Sequence, residues 1–174
     1  MKIINFTLLA VIICLTSCEL FWSAKSECYK LAVCLKDPSG NNILDGINSA
    51  TGEYSMTLIA EEYKYGEELE SPERHEYHKI PNIKDIEGVG PCLSSITYVY
   101  FDFSDVRKIT YQIKWPEIFG DEEVHEFVTY WDLSYMPRNC MYTKCYRIEY
   151  EGKTYTPLQI GDNVSLGVIT LGTP

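Results

Sequence analysis

Between Arg107 and Trp115 the chain alternates without a slip: Ile109, Tyr111, Ile113 and Trp115 against Lys108, Thr110, Gln112 and Lys114. Successive side chains of a β-strand point to opposite faces, so a period of two writes one buried face and one solvated face. A helix would scatter both sets around its circumference. The pattern recurs: Tyr29, Leu31, Val33 and Leu35 alternate with Lys30, Ala32, Cys34 and Lys36, and Tyr146, Ile148 and Tyr150 with Arg147 and Glu149. Strands are further expected at 54–60, 127–133 and 164–171, and at 96–103, where apolar residues at almost every position suit a central strand. Asp37-Pro38-Ser39-Gly40-Asn41-Asn42 is a dense turn signal, and Glu151-Gly152 is a two-residue hairpin turn into Lys153-Thr154-Tyr155. Residues 116–123 read as a turn or a single helical turn. The acidic stretch 61–90, punctuated by Pro72 and Pro81, reads mostly as loop, with a short strand near 77–80. Fourteen Tyr fit strands rather than helices. The expectation is an all-β domain over 28–174, an antiparallel β-sandwich of seven to nine strands, immunoglobulin-like or transthyretin-like.

The N-terminus constrains location instead. Lys2 supplies a positive charge, and residues 3–15 are apolar apart from Asn5 and Thr7. Such a run falls short of the roughly 20 residues that span a bilayer and suits the hydrophobic region of a secretory signal. It ends in Leu15-Thr16-Ser17-Cys18, which resembles the lipobox of bacterial lipoproteins. That resemblance implies a signal peptide over 1–17, diacylation of the Cys18 thiol, cleavage before it, and usually acylation of the new N-terminus. Two or more acyl chains attach a protein stably where one holds it only marginally. Residues 18–27 then read as a lipidated tether, with Phe21 and Trp22 placed for the membrane interface or for packing back on the domain.

Together with Lys36-Asp37-Pro38-Ser39-Gly40-Asn41-Asn42 and the stretch Trp-Pro-Glu-Ile-Phe-Gly-Asp-Glu-Glu-Val-His at 115–125, the lipobox makes the chain resemble small uncharacterised lipoproteins of Bacteroidota-type gut bacteria. The resemblance implies a β-sandwich on the outer membrane and brings no catalytic residues. Surface-exposed members often carry an acidic or Lys-acidic run after the lipidated cysteine. Here Glu19 is followed by Leu20-Phe21-Trp22, which leaves both cell-surface and periplasmic orientations open.

Charge narrows the partners. The whole sequence has a formal charge of −10, and about −11 once Lys2 leaves with the signal. Such a field repels phosphate backbones, so nucleic acid is excluded, and contact with the bilayer falls to the lipid on Cys18. Another envelope protein or a glycan are the partners that remain.

Five cysteines follow Cys18: Cys28, Cys34, Cys92, Cys140 and Cys145. Two bridges among five thiols leave fifteen pairings open. Cys28 and Cys34 lie six residues apart on one strand, about 20 Å, beyond the reach of a disulfide. Cys140 and Cys145 pair only if 141–144 make a tight loop, and unpaired small hydrophobes are an equal reading.

Chemistry-bearing motifs are sparse. His75-Glu76-Tyr77-His78 places two imidazoles three apart, which on a strand face opposite ways, and His125 lies among acids; a metal site would need the fold to join them. Asp37, Ser39, Asn41 and Asp45 miss the calcium-loop pattern, since the required Gly and Glu positions hold Asn42 and Asn48. Hydrolase signatures are missing, and no metal or other cofactor is expected, so the chain reads as a non-enzymatic binding module. For glycan stacking, Trp115, Trp131 and Tyr130 lead a set that includes Tyr98, Tyr100 and Tyr135. A hydrolase or metal-binding protein is the last alternative.

Overall fold

The computed structural model describes residues 25–48, 54–64, 73–101, 104–132, 141–161 and 164–172, with backbone alone at 25–28, 62–64, 96–101, 104–105 and 141–142. The signal, Cys18, the tether up to residue 24, Tyr135 and Cys140 lie outside these residues. Twelve strands occur among those described, arranged in two sheets that pack as a β-sandwich.

Sheet A has the order β11-β12-β1-β5-β4. Its strands are β1 (Lys25–Lys36), β4 (Asn82–Ile86), β5 (Gly90–Phe101), β11 (Leu158–Ile160) and β12 (Val164–Thr170), and β8 (Met141–Tyr142) pairs with the start of β1. Sheet B has the order β10-β9-β7-β6-β2-β3. It contains β2 (Ser55–Lys64), β3 (Glu73–Lys79), β6 (Ser104–Lys114), β7 (His125–Asp132), β9 (Lys144–Tyr150) and β10 (Lys153–Tyr155). Pairing is antiparallel except that β12 and β8 run parallel to β1.

Two expectations change here. The strand count exceeds seven to nine because several strands are two or three residues long, and because 61–90 holds β3 and β4 rather than mostly loop. The sandwich is mixed, since β1 has antiparallel β5 on one side and parallel β12 on the other. Among the described residues β1 is paired from Lys25 onward, where Lys25 faces Phe101.

The core is built by the alternation. Tyr29, Leu31, Val33 and Leu35 of β1 meet Ile109, Tyr111 and Ile113 of β6 and Phe127 and Trp131 of β7. Trp131 stands edge-on to Tyr29 at 5.0 Å, and the Tyr29 hydroxyl donates to the Val106 carbonyl at 2.8 Å, joining the two sheets. Trp131 Nε1 donates to Thr129 Oγ1, which donates to the Ile109 carbonyl, both at 2.8 Å, so these two buried side chains are satisfied. At one edge Ser165 Oγ of β12 accepts from the Cys145 amide of β9 at 3.0 Å and from Gln159 Nε2 at 2.9 Å.

Turn chemistry follows the sequence. Glu151 and Gly152 both have positive φ, 48° and 71°, as a tight hairpin loop of two residues requires. Pro116–Phe119 forms α1, one turn with Pro at its start, closed by Gly120 in the left-handed region at φ 80°.

Candidate functional site

Register arithmetic builds one surface on the outer face of sheet B. Arg147 of β9 pairs with Tyr130 of β7, Tyr130 with Lys108 of β6, Lys108 with Glu61 of β2, and Glu61 with Arg74 of β3. Paired residues share a face, so these five side chains form a single row across five strands. Glu61 is largely buried and sits between two cations, Lys108 Nζ at 2.9 Å and Arg74 Nη2 at 3.5 Å. At the other end the Arg147 guanidinium lies 3.7 Å above the Tyr130 ring centroid, a cation–π stack. Glu149 closes this end: Tyr130 donates to its Oε2 at 3.0 Å, and its Oε1 is 3.4 Å from Arg147 Nε. Burial and the Glu149 carboxylate push the Tyr130 phenol above its usual range. With three cations to one enclosed acid, the row is a cationic strip on an acidic protein.

A β-bulge adds the exposed aromatic. The β7–β9 register slips between Tyr130 and Trp131, which pair with Arg147 and Cys145, leaving Tyr146 as the extra residue. Tyr146 is therefore 48% exposed on the outer side instead of sharing the inner face with Ile148 and Tyr150, as strict alternation predicts. Its ring centroid lies 6.4 Å from that of Tyr130 and 6.0 Å from the Arg147 guanidinium. Tyr130, Tyr146, Arg147 and Glu149 thus make a patch with one free ring, one stacked ring, a cation and a carboxylate.

The structure places the sequence candidates differently. Trp115 is fully buried and Trp131 is 2% exposed, so neither presents a ring to a sugar. Trp115 packs against Tyr54 at 4.7 Å, and Trp131 against Tyr29. They are core because each occupies an inward position of its strand pattern, and size alone cannot distinguish a stacking platform from a core aromatic. Tyr130 alone of the three faces outward, beneath Arg147. Tyr98 and Tyr100 are described in backbone only.

The histidines do not converge. His75 and His78 lie on edge strand β3, and His78 Nδ1 is 3.3 Å from Thr57 Oγ1 on the outer face. His125 lies on β7, with β6 and β2 between it and β3. It closes one end of the sandwich: Nδ1 meets the Tyr150 hydroxyl at 2.8 Å, Nε2 meets Asp121 Oδ1 at 3.0 Å, and the ring stacks on Phe119 at 3.8 Å. The His125 hydrogen bond holds the Asp121 carboxyl below its usual range. Among the described residues no group of three or more His, Cys, Asp or Glu is arranged to hold a metal ion, and no helix is long and apolar enough to cross a membrane.

Three described cysteines, Cys34, Cys92 and Cys145, are buried and carry free thiols. Burial pushes Cys34 up and raises Cys92 and Cys145 to about 12, which suppresses the thiolate that a nucleophile requires. In the 37–46 turn, Asp37 is occupied by Asn41, whose amide and side chain donate to its two oxygens at 2.8 and 2.9 Å.

The comparisons add no relative: no family model, no curated protein and no solved structure matches the chain.

Proposed function

We propose that this chain is a lipid-anchored, extracytoplasmic protein of the outer membrane, acylated at Cys18, whose β-sandwich is a non-enzymatic interaction module. The docking surface in this reading is the outer face of sheet B, and the partner is another envelope protein. The observation that carries it is the row Arg147–Tyr130–Lys108–Glu61–Arg74 with Tyr146 exposed beside it. A flat sheet face with a half-free tyrosine and a pre-stacked arginine has the residue types that concentrate binding energy at interfaces. The anchor rests on Leu15-Thr16-Ser17-Cys18 and the apolar run before it.

Two measurements test the two halves. Mass spectrometry of the native N-terminus should give a thioether-modified Cys18 as the first residue; an unprocessed, unacylated N-terminus overturns the anchor. Affinity recovery from native membranes should give a stoichiometric partner that Tyr146→Ala with Arg147→Ala releases. Absence of any stoichiometric partner overturns the docking reading.

One observation favours a second reading. A solvent-facing tyrosine ring beside a guanidinium and a carboxylate is also a sugar-stacking arrangement, now centred on Tyr146 rather than on either tryptophan. Glycan-array binding at millimolar ligand, lost in Tyr146→Ala with the fold intact, would select it.

A further inference from the structure

We propose that Cys34 and Cys92 are a cross-strand disulfide pair, a modification site that ties β1 to β5 when the chain meets a thiol–disulfide oxidant. The register carries the argument. Val33–Leu93 is the last pair of the antiparallel β1–β5 ladder, and carrying that register on by one residue sets Cys34 opposite Cys92, in keeping with their shared buried cluster. Directly opposed residues in such a ladder have Cα atoms about 4.5 or 5.5 Å apart, inside the roughly 4.4–6.8 Å window of a disulfide. Both side chains leave the same face of the sheet, so their Cβ atoms point together rather than apart. The two side chains lie together in one small buried cluster, close enough for each thiol to bear on the other's ionisation.

Other partners are worse placed. Cys28 shares β1 with Cys34, about 20 Å along it. Cys145 lies on the other sheet, in the main core, while Cys34 and Cys92 belong to a separate small cluster with Ala32 and Leu166. The pair is covered but not deep. Asn42 Nδ2 donates to Cys34 Sγ at 3.6 Å, Cys92 Sγ donates to the Gly90 carbonyl at 3.5 Å, and Ile86 and Val89 of the β4–β5 turn pack alongside.

The oxidant is a low-molecular-weight or protein disulfide, RSSR. One cysteine thiolate attacks it, forms a mixed disulfide and expels RS⁻. The second thiolate attacks the mixed disulfide at the cysteine sulfur and expels the other RS⁻. Both RS⁻ groups take up the protons lost by Cys34 and Cys92, so two thiols are oxidised and one RSSR becomes two RSH. With both thiols fully covered and weakly acidic, exchange in the folded state is slow, and the bond forms while the strands close or when the β4–β5 turn opens.

The test uses the full-length protein refolded in a mixture of oxidised and reduced glutathione. Trypsin places each of the five cysteines after Cys18 in a separate peptide, 26–30, 31–36, 85–107, 139–144 and 145–147, apart from Cys14 and Cys18 in 3–25. Under non-reducing conditions, peptides 31–36 and 85–107 should be recovered joined, about 2 Da below their summed mass. Reduction should lower Tm by roughly 10 °C, the scale for a loop of this length in a domain of this size. Cys34→Ala and Cys92→Ala should abolish that response. Recovery of 31–36 and 85–107 as separately alkylated peptides, or of either joined to another cysteine peptide, overturns the proposal. The peptide map is read on the unmutated chain, so it decides the matter even if a variant fails to fold.

Discussion

The two outer faces of the sandwich answer the same alternation in opposite ways. On sheet B the outward residues are mostly charged or polar, with Ile59 and Val128 among them, and the Arg147–Tyr130–Lys108–Glu61–Arg74 row crosses five strands. On sheet A the outward residues at the centre are small and apolar: Ala32, Cys34, Cys92 and Leu166 are buried, with Ile86, Val89, Ile160 and Val164 packed against them. A period of two fixes which residues share a face; it does not by itself make the second face wet. The side-chain types then decide, and they leave one face open for contact while the other gains a second, thin apolar layer.

Substitutions can break this contrast in order of size. The inner layer common to both faces is the most sensitive. Trp131→Ala should lose about 3–5 kcal/mol in urea unfolding, because it empties a buried volume and removes the donor to the Thr129 hydroxyl oxygen. Matched charges separate the two outer faces next: Ala32→Lys should cost about 2–4 kcal/mol, whereas Thr110→Lys should stay within about 0.5 kcal/mol. Equal costs would mean the faces do not differ as described. Lys108→Met tests the row itself, since it leaves the enclosed Glu61 with Arg74 alone; about 1–2 kcal/mol is expected.

The last test is a pH dependence. The folded thiols of Cys92 and Cys145 sit at about 12 against an ordinary value of 9.0. Below pH 9 both folded and unfolded chains keep these protons, and the contribution to stability is fully present. Between pH 9 and 12 the unfolded chain ionises first, so it binds fewer protons than the folded one and stability falls as pH rises. The reduced protein should therefore lose Tm across that window, and Cys145→Ala should flatten the slope. A Tm that is flat from pH 9 to 12 would contradict the burial of these thiols.

What was legible in the chain follows from which residues bury a face. β1, β6, β7 and β9 each present an inner row of mostly large apolar residues, and Glu151-Gly152 and the 116–120 turn announce themselves through turn chemistry. β3 is legible only in its second half, as the short strand near 77–80, and β4 is not, because the edge strands Glu-Arg-His-Glu-Tyr-His-Lys and Asn-Ile-Lys-Asp-Ile are mostly exposed. Charged edges of this kind also discourage further strand pairing. Parallel pairing of β12 with β1 is a long-range choice that no local pattern encodes. The site was half visible. Tyr130 is among the aromatic stacking candidates, but nothing local separates it from Trp115 and Trp131, which are core. Tyr146 needed the bulge, which one extra residue in β9 creates and which alternation cannot foresee.

The central claim is that contact runs through sheet B while sheet A is closed, and the most direct test scores both faces in one recovery experiment. Full-length protein would be recovered from native membranes as wild type, as Tyr146→Ala with Arg147→Glu, and as Val168→Asp, which alters an exposed position on sheet A. The account predicts a stoichiometric partner retained by wild type and Val168→Asp and lost by the sheet B variant. Loss through Val168→Asp with retention by the sheet B variant would contradict it.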